Sequence, residues 1–130
     1  MIPEEDVKEW VKKAKEDFDF ASSVLPDTTF YGQVCFFFQQ SAEKYLKAYI
    51  IENKLGIRKM HELRKLLKTC EGNEAAFMSL REEADFLSPF YIDTRYPVHW
   101  PAQVAKEEAL KAQESARKIM DFVKQKLKVS

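Results

Sequence analysis

The sequence predicts an all-α fold, an antiparallel bundle of about five helices with a four-helix up-and-down core. Three observations point there. Only three glycines occur in 130 residues, and the chain is rich in Lys, Glu, Ala, Leu and Phe, a composition that favours helix. Apolar residues recur at spacings of three and four through most of the chain. Proline and glycine interrupt that periodicity where helix connections are needed.

The first helix is expected from about Pro3, a favoured first-turn residue, with Glu4, Glu5 and Asp6 set to complement its dipole. Its apolar stripe is Val7, Trp10, Val11, Ala14, Phe18, Ala21 and Leu25, and Pro26 stops it. Asp27, Thr28 and Thr29 then offer turn and capping oxygens to a second helix reaching about Leu55, with Gly56 as its C′ residue.

That second helix carries two adjoining stripes. Val34, Phe38, Ser41, Tyr45, Ala48 and Tyr49 form one, and Cys35, Gln39, Ala42, Leu46 and Ile50 form the other. Gln40, Glu43, Lys44 and Lys47 gather in the remainder. A surface helix usually shows one stripe, so this one is expected to touch neighbours on several sides. One of those neighbours is expected to be a second copy of the chain.

A shorter helix follows over about 61–70, with Leu63, Leu66 and Leu67 inward, and Gly72-Asn73 is expected to break it. The fourth covers about 74–87, with Phe77, Leu80, Ala84 and Leu87 on one side. Pro89, Pro97 and Pro101 exclude continuous helix from Ser88 to Pro101. The last helix is expected over about 102–127. Its stripe is Ala105, Ala109, Ala112, Ala116, Ile119, Val123 and Leu127, small enough to approach the aromatics of the second helix closely. With no repeat or linker, residues 1–130 read as one domain.

The 21 basic and 21 acidic residues cancel, so no global field draws the chain to nucleic acid or acidic lipid. No apolar run approaches the roughly 20 residues of a membrane span, and no secretory signal is visible at Met1. Cys35 and Cys70 sit in apolar helical contexts and read as reduced core residues of a cytoplasmic protein. His61 and His99 lack a third ligand at a recognisable spacing, so neither metal nor cofactor is expected.

The run Phe38-Gln39-Gln40-Ser41-Ala42-Glu43-Lys44-Tyr45-Leu46-Lys47-Ala48 resembles the F-x-Q-A-E-K-x-x-K-A signature of the HEPN family, the higher eukaryote and prokaryote nucleotide-binding domain. Trp10, Ala14, Asp17 and Ala21 support the match, as do His61-Glu62-Leu63 and Tyr91, Arg95, Tyr96 and Pro97, so that it spans about 7–123. The resemblance implies a compact helical bundle that is usually a symmetric dimer. It also implies a minimal nucleotidyltransferase partner in a toxin–antitoxin or defence-like module, and a nucleotide or RNA ligand. By position, Arg95, Tyr96, Glu43, Lys44 and Lys47 are its candidate binding residues.

Several branches of the family are metal-independent ribonucleases with an R-x(4–6)-H motif at the dimer cleft. Here the candidate pair is Arg95 and His99. A histidine near its ordinary pKa can exchange protons at neutral pH, and an arginine fork matches phosphate oxygens. The spacing is R-x3-H, one residue short of that range, and Tyr96 stands where nucleases carry a small polar residue. The other reading pairs Arg95 with Asp93 or Glu43 and leaves His99 as a loop residue beside Trp100. Glu43 with Lys47 is an i,i+4 pair, either solvated or part of the cleft. Arg58, Lys59, Arg64, Lys65 and Lys68 form a basic cluster that suits a phosphate backbone or an exposed helix face.

Overall fold

Apolar periodicity becomes five α-helices in the computed structural model, which describes residues 4–56, 62–91 and 104–128. They are α1 (Glu4–Val24), α2 (Tyr31–Glu52), α3 (Leu63–Asn73), α4 (Arg81–Leu87) and α5 (Lys106–Lys126), with 3-10 turns at Leu25–Asp27, Ala75–Leu80 and Ser88–Phe90. Among the described residues there is no strand. Arg95, Tyr96 and His99, with Asp93, Trp100, Arg58, Lys59 and His61, lie outside the described residues.

Helix α2 is the axle of the bundle. It packs most extensively on α1, next on α5, and also reaches α3, α4 and the turn at Ser88–Phe90. Every residue of its two stripes is buried. The chain's own helices therefore account for the doubled stripe, and no second copy is needed to cover it. Helices α1 and α2 run antiparallel: Phe20 meets Phe37, Asp17 meets Lys44 and Trp10 meets Lys47. Helices α1 and α5 also run antiparallel, with Gln113 against Ser22 and Arg117 over Phe18. Ala109, Ala112 and Ala116 of α5 are fully buried, and these small side chains let the helix approach the bundle closely.

Helix ends depart from the sequence expectations in instructive ways. Pro26 opens a 3-10 turn and ends α1 as expected. The Thr28 hydroxyl accepts the Phe30 N–H at 3.0 Å, so it shapes the turn and does not cap α2, which begins at Tyr31. Helix α2 stops at Glu52, before Leu55. The C′ position belongs to Lys54, at φ +55°, and not to Gly56. Leu55 N–H donates to Ile50 O at 3.0 Å and Lys54 N–H to Ile51 O at 3.1 Å, the two bonds of a Schellman motif.

Gly72-Asn73 does not break α3. The helix continues to Asn73 and ends where Glu74, in extended conformation, donates its N–H to Cys70 O at 2.9 Å. The segment expected as one helix over 74–87 is a 3-10 turn followed by α4, and its expected inward residues Phe77, Leu80, Ala84 and Leu87 are all buried. Helix α5 begins at Lys106 because the Glu108 carboxylate reaches back to accept the Ala105 N–H at 2.9 Å. Ala105 is consequently exposed and drops out of the expected stripe.

A polar clasp joins the carboxyl-terminal ends of α2, α3 and α5. Asn73 Nδ2 donates to Tyr49 Oη at 2.8 Å, and Tyr49 Oη donates to Glu74 Oε1 at 3.2 Å. The other oxygen of Glu74 pairs with Lys126 at 2.5 Å. Beneath it, Phe77 stacks obliquely on Tyr49 and edge-on to Phe122, with centroids 4.5 and 4.8 Å apart.

Candidate functional site

A second feature of α2 cuts across its apolar stripes. Gln39, Glu43 and Lys47 follow one another at i, i+4 and i+8, one above the next on a single face. All three are buried, Gln39 completely, Glu43 to 3% exposure and Lys47 to 6%. Gln39 therefore belongs to this line as much as to the stripe in which its spacing placed it. Charged side chains rarely enter a small bundle unless each is paired.

Here they are paired in series. Gln40 Nε2 donates to Gln39 Oε1 at 2.8 Å, and Gln39 Nε2 donates to Glu43 Oε1 at 3.5 Å. Lys47 Nζ donates to Glu43 Oε2 at 2.9 Å and stands 5.4 Å from the centroid of the Trp10 ring. The ammonium is thus held between a carboxylate and an aromatic face.

Lys44, half-buried, turns to α1 and pairs with Asp17 at 2.5 Å. One turn earlier, Ser41 Oγ donates to Ala14 O at 2.8 Å and locks the register of the two helices. Of the site residues expected on α2, the structure unites Glu43 with Lys47 and places Lys44 in a separate pair at the rim. Gln39, Gln40, Asp17 and Trp10 were not expected to take part. Their signal lay in the motif positions they occupy; spacing had placed Gln39 and Trp10 in apolar stripes and Gln40 in the polar remainder.

Toward the amino-terminal end of α2 the same two helices carry aromatics. Phe20 is 50% exposed and meets Phe37 with centroids 5.0 Å apart, and Phe37 meets Phe36 at 5.6 Å. The expected basic cluster is largely neutralised where it is described: Arg64 pairs with Asp85 at 2.6 Å and Lys65 with Glu62 at 3.5 Å. Of the aromatics that follow α4, Phe90 is buried against Phe86, and Tyr91 is exposed.

Both cysteines are buried and free. Burial pushes each thiol up to about 12, helped by the Glu108 carboxylate at Cys35 and the Glu71 carboxylate at Cys70. Neither is a nucleophile at neutral pH. Among the described residues no cluster of His, Cys, Asp and Glu could hold a metal ion, and no helix is long and apolar enough to cross a membrane.

The described residues thus form a bundle of five α-helices whose central helix buries a Gln–Glu–Lys line beside an ion-paired rim. The HEPN domain model matches residues 7–126, and the chain belongs to that family. The fold is also similar to that of ST0689, an archaeal HEPN homologue of known crystal structure. Superposition gives a TM-score of 0.72 at 24% identity, covering 92% of this chain and 96% of that one. No curated protein matches the chain. The family gives the protein a nucleotide- or RNA-related helical fold.

Proposed function

We propose that this protein is a HEPN-type nucleotide- or RNA-binding homodimer that acts with a minimal nucleotidyltransferase partner in a toxin–antitoxin or defence-like module. The buried Gln39–Glu43–Lys47 line carries the reading. A bundle of this size gains little stability from an internal ion pair, because apolar residues of similar volume fill the same space at equal or lower free energy. The presence of such a pair on the most buried helix fits a ligand-directed role better than a purely structural one.

The roles of the three candidate α2 residues differ. Lys47 is an internal strut that fixes the Glu43 carboxylate, and Lys44 at the rim is the side chain that turns to a phosphate oxygen by leaving Asp17. Arg95 and Tyr96 complete the binding set by their motif positions. Exposed Phe20, with half-buried Phe36 and Phe37 beside it, supplies the face for the second copy.

The alternative is a metal-independent endoribonuclease. Arg95 would hold the scissile phosphate while His99, present twice across a two-fold cleft, would take the 2′-hydroxyl proton and protonate the leaving 5′-oxygen. The products would be a 2′,3′-cyclic phosphate and a 5′-hydroxyl. Incubation with single-stranded and structured RNA in EDTA separates the readings. Binding without cleavage is expected. Cleavage that Arg95→Ala and His99→Ala both abolish would establish the nuclease, whereas absence of both binding and cleavage would remove the RNA-directed reading. Light scattering should give a dimer mass for the wild type and a monomer mass for Phe20→Glu. A monomeric wild type at micromolar concentration would contradict the dimer.

A further inference from the structure

Helices α3 and α4 enclose a cleft of about 280 Å³, lined by Arg64, Leu67, Lys68, Glu71, Arg81 and Asp85. Arg64 and Lys68 are one turn apart on α3, and Arg81 and Asp85 one turn apart on α4, so each helix presents charge to the other. Two cross-helix pairs bound the cleft. Arg64 Nε meets Asp85 at 2.6 Å, and Arg81 grips Glu71 through Nε and Nη2 at 3.0 and 2.9 Å. Lys68 forms no ion pair among the described residues and stands between them in sequence. Three cations therefore face two carboxylates, leaving one net positive charge at the cleft.

The donors are underused. Asp85 engages only the Nε of Arg64, so both terminal nitrogens of that guanidinium remain available, together with the three N–H groups of Lys68. The Arg64 and Asp85 side chains are 60% and 57% exposed, and such pairs hold a side chain only weakly. The Glu71 carboxyl is held below its ordinary value, first by its hydrogen bonds from Arg81 and further by the charges of Arg81 and Lys68, in keeping with positive potential in the cleft.

We propose that this cleft is an anion site for a phosphate monoester, in which Lys68 and the terminal nitrogens of Arg64 take the phosphate oxygens and Asp85 competes with the ligand for Arg64. A dianion is preferred to a monoanion, because it forms a charge-assisted fork with the guanidinium that the single Asp85 contact does not match. The volume suits one phosphorylated group and little more. None of these residues belongs to the α2 line, so the site stands or falls independently of the function proposed above.

The test is a titration of the full-length protein, followed by amide and side-chain chemical shifts, with inorganic phosphate, AMP and adenosine, against sodium chloride at matched ionic strength. Saturable shifts at Arg64 and Lys68 are expected with phosphate and AMP and not with adenosine. Tighter binding of AMP than of phosphate would make the nucleoside part of the ligand, and equal binding would make free phosphate sufficient. Lys68→Gln should weaken phosphate by about tenfold, the loss of one charge-assisted contact. Asp85→Asn should tighten it by roughly threefold through loss of the competing carboxylate. Shifts reproduced by sodium chloride, or affinities unchanged in both variants, would overturn the site. Both residues are exposed, so the substitutions leave the fold intact, which far-ultraviolet circular dichroism checks.

Discussion

Lys47 Nζ lies 2.9 Å from Glu43 Oε2, with the two side chains only 7% and 4% exposed. The same i,i+4 pair on a helix surface would contribute a few tenths of a kcal/mol. Inside the bundle each charge is tolerated only because the other is there. The pair is thus a demanding element of the fold, and it sits on the helix that carries the family motif.

Removing one member should therefore cost far more than removing both. Lys47→Met or Glu43→Leu alone is expected to destabilise by about 3–5 kcal/mol, since each leaves an uncompensated buried charge. The double variant should recover most of that loss. Urea unfolding of the three variants measures the coupling, and additive single effects would show that the pair is not coupled.

The end of α2 makes an opposite prediction. Lys54 occupies the left-handed region at φ +55°, where a side chain costs about 1 kcal/mol relative to glycine. Lys54→Gly should raise stability by roughly 0.5–1 kcal/mol. Gly56→Ala, at φ +88°, should lower it by a similar amount. Urea midpoints read both, and a destabilising Lys54→Gly would contradict the Schellman assignment.

Acid should loosen the clasp between α2, α3 and α5. The Glu74 carboxyl is held below its ordinary value of 4.5, chiefly by Lys126, and Glu71 likewise by Arg81. A carboxyl depressed in the folded state contributes stability that is complete above its unfolded pKa and is lost as pH falls through the folded one. Melting temperature should therefore fall below about pH 4.5, and Lys126→Met should flatten that fall. An unchanged acid limb in Lys126→Met would exclude the Glu74 pair as its cause.

Residue patterning anticipated the fold closely and the site only in part. Both stripes of α2, and the inward residues expected on α3 and α4, follow from period 3.6 and are buried as expected. Helix ends were less legible, because they turn on single backbone bonds. The cap formed by Lys54 depends on the chain's path after Ile51, and Gly72 is carried along by the Cys70–Glu74 bond. The hardest feature was the line through Gln39, Glu43 and Lys47. Spacing placed Gln39 in an apolar stripe, while the polarity of Glu43 and Lys47 suggested solvent or a cleft. Only the packing of α1, with Trp10 over Lys47 and Asp17 on Lys44, reveals an interior.

The proposed function puts RNA or nucleotide on the α1–α2 face with Lys44 at its rim. Fluorescence anisotropy of a labelled single-stranded RNA in EDTA, with wild type and Lys44→Ala, tests it most directly. Saturable binding by the wild type is expected, weakened by about tenfold in Lys44→Ala through loss of one phosphate contact. Absence of wild-type binding, or equal affinity in the two proteins, would contradict it.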